Sequence, residues 1–297
     1  MPKVKANGIE LFYDERGDAG APVILLIMGL GTQMIAWPDA FCDGLAAAGY
    51  RVIRYDNRDI GLSTTLDGAT AINPLVAMIM ARFGMAFPLA YSLNDMAADA
   101  VALLDALSIA RAHIVGASMG GMIAQLVAAG WPDRVLTLTS IMSSSGRRGL
   151  PGPTPRLRKR LLAKRPANPS RAEAIAAGVD ILSLISYPDP GRNPDAFATM
   201  AAAAFDRGYN PMGVRRQLLA IVADGSRVDR LKTIRAPTLM IHGGADPLVP
   251  AAHGQDAAKI VPGAKLVILP EMAHDLPPSQ IPRMVALIAE HCAAQQS

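Results

Sequence analysis

The chain has 297 residues, 51% of them hydrophobic, with 26 glycines, 23 prolines and a formal net charge of +4. That is enough to bury one large core and to end its elements sharply, which points to a globular domain with room for an inserted subdomain. No run of about 18 apolar residues is free of charge, glycine and proline, so no integral membrane span is expected.

Cys42 and Cys292 are the only cysteines, too few and too far apart for a disulfide framework or a metal knuckle. A reducing cytoplasm is the expected location. The opening "MPKVKANGIELFYDERG" lacks the apolar centre of a signal peptide. Charge is unevenly spread, with nine basic residues and no acidic one from Arg147 to Arg171. No recognition motif or aromatic stacking platform accompanies this run, so nucleic acid is not an expected partner. It reads as a solvated helix face, or as a surface that steers anionic small molecules or touches anionic surfaces.

In chain order, "KVKAN" and "IELFYDERG" alternate like an antiparallel pair joined at Asn7-Gly8, a hairpin signal. "PVILLIM", "RVIRYD", "AHIVG", "VLTLTSI", "PTLMIHG" and "KLVILP" read as buried strands. Between them lie helical segments: "PDAFCDGLAAAG" with Pro38 in its first turn and Gly49 at its end, "LNDMAADAVALLDALS" with an apolar face, "MIAQLVAAG", and the closing "IPRMVALIAEHCAAQ". Short apolar strands alternating with helices predict an α/β class: a mostly parallel eight-stranded sheet flanked by helices.

Two stretches break the alternation. The apolar insert 70–91, with three methionines, separates one strand from its crossover helix; residues 143–232 separate "VLTLTSI" from "PTLMIHG" by more than a crossover needs. The second reads as a helical cap, giving a core domain of 1–142 and 233–297 with a cap subdomain at 143–232. Met78, Met80, Phe83, Met85 and Phe87 of the insert, with Met200 of the cap, either line an apolar pocket or pack the cap onto the sheet. The polar tail "AAQQS" is expected to fray.

The motif "HIVGASMGG" ends a strand and opens a helix, the setting in which Gly-x-Ser-x-Gly presents a nucleophile. Ser118 on so sharp a turn needs small residues two before and two after it, and Gly116 and Gly120 supply them. A serine hydroxyl also needs a base, and the base needs an acid to hold its tautomer. Of five histidines, His113 and His242 fall within strands and read as core; His253 and His291 fall on helices, where surface roles are expected. His274 follows the last strand on a Pro-flanked loop, at the sheet end where functional side chains gather.

Asp246, in "IHGGADPLVP", follows the penultimate strand and completes the order Ser118, Asp246, His274; an Asx-turn would also use it. Asp275 adjoins the histidine and is poorly placed to reach its ring. The expected oxyanion donors are the backbone N–H groups of Met119 and of Leu30 in "LLIMGLGTQ", where Gly29 and Gly31 allow close approach.

These residues resemble the α/β-hydrolase fold family over essentially the full length, through the "GASMGG" turn, the "GGADPLVP" turn and the "MAHDLP" loop. Within it, "VILLIMGLGTQMIAWPDAF" and "RVIRYDNRDIGLSTT" are similar to the bacterial aclacinomycin methylesterase group and related carboxylesterases. The resemblance implies an α/β-hydrolase fold with an inserted cap. It also implies hydrolysis of a small-molecule carboxylic ester through an acyl-serine, with no metal or cofactor. It assigns Ser118 as nucleophile, Asp246 as acid, His274 as base, and Leu30 with Met119 as oxyanion donors. "DNRDIGLS" corresponds to a structural turn, and Met28 stands where many members carry histidine.

A cofactor-free perhydrolase or haloperoxidase and a C–C bond hydrolase use the same triad and stay open. An amidase would want an acidic cluster in the cap. Dehalogenases and epoxide hydrolases of this fold need aspartate at position 118. A ligand-binding protein on a hydrolase scaffold is the non-enzyme alternative. Oligomeric state, monomer or homodimer, is not readable from these residues.

Overall fold

In a computed structural model describing residues 2–69, 71–161 and 169–294, the first two strands are β1 (Lys3–Ala6) and β2 (Ile9–Arg16). Both Asn7 and Gly8 adopt positive φ, 48° and 78°, the mirror-image turn whose twist matches that of a hairpin. The remaining strands are β3 (Val23–Ile27), β4 (Arg51–Tyr55), β5 (Ala112–Ala117), β6 (Val135–Ile141), β7 (Thr238–Gly243) and β8 (Lys265–Leu269). They form one sheet in the order β1-β2-β4-β3-β5-β6-β7-β8. The two N-terminal strands pair antiparallel and every pair from β4 to β8 is parallel.

The interior strands read as unbroken apolar runs because both of their faces are covered. Along β3, Leu25 and Ile27 face one core while Ile24 and Leu26 face the other. Helix α1 (Asp39–Ala47) covers the second face together with the C-terminal helix; the insert carries α2 (Pro74–Arg82); α3 (Leu93–Ala106) and α4 (Met119–Gly130) cover the first face. Pro38 stands just ahead of α1 as its N-cap. Ser92 and Asp95 close a reciprocal capping box at the start of α3.

Between β6 and β7 the chain leaves the sheet to form the helical insertion: α5 (Pro155–Leu161), α6 (Arg171–Ile185), α7 (Ala196–Arg207), α8 (Pro211–Asp224) and α9 (Val228–Leu231). Two helices complete the core, α10 (Ala252–Ile260) between the last strands and α11 (Ile281–Ala293) at the end. Residues 162–168 of the basic run and 295–297 of the tail lie outside the described residues. Of the basic run, Arg147, Arg160 and Arg171 form ion pairs with Asp256, Asp180 and Asp206.

The turn after β4 joins core to cap through buried charge. Asp56 accepts from Met34 N–H at 2.8 Å and from Arg207 of α7 at 3.0 Å. Asp59 is paired with Arg216 of α8 at 2.7 Å, and Arg58 with Asp99 of α3 at 2.5 Å. "DNRDIGLS" is thus structural, as expected, and it is also where the cap docks.

Three residues of the insert depart from the packing expected of them. Met78, Phe83 and Met85 are 44%, 76% and 56% exposed, so they do not pack the cap onto the sheet. Only Met80, Phe87 and Met200 are half-buried. The reason is geometric: α2 rests on α8 and buries Ala77 alone, turning its remaining apolar face outward. His291 is a second correction. Expected on the surface, it is buried, because at seven residues after Met284 and three after Ile288 it falls on the stripe that α11 presses against the sheet.

Candidate active site

At the end of β5 the chain turns directly into α4, and Ser118 sits on that corner with φ 56° and ψ −118°. A residue with a side chain adopts this conformation only where its surroundings enforce it. Here a Cβ on Gly116 would lie 2.1 Å from Gly120 O, and one on Gly120 would lie 1.9 Å from Ile27 O. Any larger residue at either position would force the strand and helix apart. Ser118 N–H donates to Ile141 O at 2.9 Å, and Ser143 Oγ donates to Ser118 O at 2.7 Å, which fixes the corner against β6.

The loop after β8 brings His274 over this corner, with Nε2 2.9 Å from Ser118 Oγ. Its Nδ1 lies 2.7 Å from Asp246 Oδ2. Asp246 stands on the loop after β7, where its Oδ1 accepts from Leu248 N–H and Val249 N–H at 2.9 and 2.8 Å. The Asx-turn and the histidine contact coexist: one oxygen orders the loop and the other faces the imidazole. All three side chains end at the same edge of the sheet, beyond the carboxyl ends of parallel strands.

Asp275 points elsewhere, ion-paired with Arg192 of the cap and accepting from Tyr187 N–H at 3.2 Å. Burial pushes its carboxyl pKa up, and Arg192 and the backbone donors offset this only in part. His274 N–H itself donates to Ile185 O, the last residue of α6, at 2.9 Å. The histidine loop is therefore held from the cap side as well as from the sheet.

The other histidines are occupied. His113 is fully buried, edge-on to Tyr50 with Nδ1 2.9 Å from Thr137 Oγ1, and burial pushes its pKa down to about 4. His242 donates from Nε2 to Val249 O at 2.7 Å beneath the acid loop, and burial lowers its pKa too. His253 is half-buried, with ring nitrogens 2.7 Å from Ser144 Oγ and 2.8 Å from Pro151 O. His291 donates to Pro237 O at 3.2 Å, and its pKa is lowered by burial.

The loop after β3 passes close to the serine, and a Cβ on Gly29 would stand 3.1 Å from Ser118 Cβ. Met119, the first residue of α4, and Leu30, next to Gly29, both have backbone N–H groups that make no hydrogen bond among the described residues. Sequence reasoning did not find the cap's share of this site: Ile185 O, Arg192 and Gln217 of α8, whose Oε1 accepts from Gly31 N–H at 2.9 Å. Nothing local in "RRQLLA" marks that glutamine, because its partners lie 186 and 159 residues away.

With this geometry in hand, comparisons with known proteins fall into one pattern. The profile of the alpha/beta hydrolase fold family matches residues 22–278. The chain is 30% identical over 310 residues to rhodomycin D methylesterase of Streptomyces peucetius, covering 96% of each protein. It is 31% identical to that of Streptomyces sp. (strain C5), covering 98% of this chain and 97% of the relative. The crystal structure of an enol-lactonase from Burkholderia xenovorans LB400 superposes with a TM-score of 0.72 at 25% identity, over 99% of both chains. The chain belongs to the α/β-hydrolase fold family and is a relative of the bacterial rhodomycin D methylesterases.

Proposed function

We propose that this protein is a serine carboxylic ester hydrolase in which Ser118, His274 and Asp246 form the catalytic triad. The observation that carries the reading is the chain of contacts Ser118 Oγ to His274 Nε2 to Asp246 Oδ2, at 2.9 and 2.7 Å, on a serine held at positive φ. Its relatives named methylesterases support a methyl or other small alcohol as the leaving group.

In the first step His274 Nε2 accepts the Ser118 proton while Oγ forms a bond to the ester carbonyl carbon. Asp246, fixed by Leu248 and Val249, keeps Nδ1 protonated and stabilises the imidazolium that results. The carbonyl electron pair moves onto oxygen, and the N–H groups of Leu30 and Met119 hold that oxyanion. The α4 N-terminus adds its partial positive charge at the same place. His274 then gives its proton to the departing alkoxide as the carbon–oxygen bond breaks. Water repeats the sequence on the acyl-serine, releasing the acid and restoring Ser118.

No helix among the described residues is long and apolar enough to cross a membrane. Cys42 and Cys292 are both free and buried, which supports work in a reducing compartment such as the cytoplasm.

A fluorophosphonate probe tests the reading, because it bonds covalently to an activated serine and displaces fluoride. Labelling of the wild type and not of Ser118→Ala is expected. Nitrophenyl ester turnover should fall by at least about 10⁴ in Ser118→Ala and by roughly 10⁴ in Asp246→Asn. Folded wild type that takes no label and turns over no ester of any chain length would place the protein among non-catalytic binders.

A further inference from the structure

Backbone groups on both sides of Leu30 N–H in the loop after β3 have partners, while Leu30 N–H itself makes no hydrogen bond among the described residues. Met28 O accepts from Asn57 Nδ2 at 2.9 Å, Gly29 O from Thr32 N–H at 3.3 Å, and Leu30 O from Thr32 Oγ1 at 3.0 Å. Gly31 N–H donates to Gln217 Oε1 at 2.9 Å, while Gln217 Nε2 donates to Arg58 O at 2.9 Å. Gln217 is fully buried and comes from the cap, not from the core. A buried amide with both ends used fixes the distance between the two loops it bridges.

The surroundings hold Gln217 in turn. Arg216 beside it is paired with Asp59 at 2.7 Å, and Asn210 at the start of α8 donates to Asp59 O at 3.0 Å. Val214, one turn before, lies against Gly31, where an added Cβ would come within 3.0 Å of its methyl groups. Gly31 itself has φ 66°, a conformation that turns successive N–H groups in different directions.

We propose that Gln217 is a positioning residue for ester hydrolysis: by accepting from Gly31 N–H it fixes the oxyanion loop so that Leu30 N–H faces the oxygen developing above Ser118. This rests on the reaction assigned above and adds that the cap sets the geometry of the oxyanion site. Binding of the ground-state carbonyl asks little of this loop, whereas the tetrahedral oxyanion asks for a donor within a few tenths of an ångström of its place. Loosening the loop therefore acts on kcat rather than KM.

Gln217→Met keeps length and helix propensity and removes both hydrogen bonds. With the fold verified by circular dichroism and melting, kcat on a nitrophenyl ester should fall about tenfold to a hundredfold with KM within about threefold. Phenylboronic acid gives a second readout, because Ser118 Oγ forms a bond to boron, its proton passes to His274, and boron becomes a tetrahedral anion like the intermediate. Its affinity should fall by the same factor as kcat/KM. A folded variant with kcat within about twofold of wild type, or with the loss confined to KM, overturns the inference.

Wild-type protein offers a measurement that depends on no variant. When the phenylboronate adduct forms, the amide proton of Leu30 should move downfield in its nuclear magnetic resonance spectrum while that of Gly31 stays in place. Movement of Gly31 instead of Leu30 overturns the assignment. A wild type that neither hydrolyses esters nor takes the fluorophosphonate removes the reaction assignment and this inference together. One that does both, with an unaltered Gln217→Met, removes this inference alone.

Discussion

Helices α8 and α2 lie against one another, and they are built on opposite terms. By composition α2, with the sequence PLVAMIMAR, is the more apolar, yet it buries only Ala77. Helix α8 carries arginines and a glutamine and buries five residues, among them Arg216 and Gln217. The difference teaches what makes a polar helix a core element here. The turn after β4 and the loop after β3 present carbonyls, an N–H and a carboxylate that no strand can satisfy, and α8 supplies the matching groups. Burial follows the demand for partners more closely than it follows hydropathy.

The sharpest way to break this comparison is to remove one charge of the α8 anchor. Arg216→Met leaves Asp59 buried without its bidentate partner and should cost about 3–5 kcal/mol in denaturant unfolding, because an uncompensated buried charge is expensive. The loss should depend on pH. Burial alone would push the Asp59 carboxyl up, but hydrogen bonds from Arg216 and Leu66 N–H outweigh it and hold the pKa below the usual carboxylate value of 3.8. A depressed folded-state pKa contributes stability that is fully present above the unfolded value and is lost as pH falls through the folded one. In Arg216→Met that contribution is already gone, so the gap between wild type and variant should close as pH is lowered below about 4. A gap that stays constant across that range would mean that the anchor acts through packing and not through charge.

A smaller pH effect belongs to the sheet rather than the cap and serves as its control. His113 has its pKa depressed from 6.5 to about 4, so it stays neutral in the fold while the unfolded chain takes up a proton. The unfolded state then binds more protons between those values, and stability falls as pH drops from about 6.5 toward 4, by up to roughly 3 kcal/mol from this residue. His242 and His291 act in the same direction. Asp99 and Asp275, whose pKa values burial raises, act oppositely near the acid end. Unfolding curves of His113→Gln should show a shallower slope over that interval, with ester turnover at pH 7 unchanged relative to folded protein.

Where the chemistry was carried by nearby residues, the sequence was legible. Eight strands followed from short apolar runs, the hairpin from Asn7-Gly8, and the meeting of Ser118, Asp246 and His274 in one chain of contacts from their places after β5, β7 and β8. Each depends on a turn whose chemistry lies within a few residues. Ile185, Arg192 and Gln217 were not legible, because what they satisfy is a backbone or side-chain group brought near only by the finished fold. His291 was legible in principle, since its spacing from Met284 and Ile288 follows a helical stripe, but a histidine's polarity outweighed its position. The insert failed for the converse reason: apolar composition says that a segment can be buried, not that a surface exists to receive it.

The smallest effect tests that last point. If α2 rests on the cap through Ala77 alone, then Ile79 and Phe83, 60% and 76% exposed, have little burial to lose. Replacing both with serine should shift unfolding by no more than about 0.5 kcal/mol, the range of ordinary surface changes. Had they been packed, the same pair would cost several kcal/mol, since a buried isoleucine or phenylalanine contributes about 1.5–3 kcal/mol each. Ala77→Asp should behave differently, because it places a charge at the one residue that α2 buries. A double serine variant as destabilised as Ala77→Asp would show that the outward face of α2 is covered in solution. It would also make apolar composition, and not the supply of polar partners, the better guide to how this part of the molecule is built.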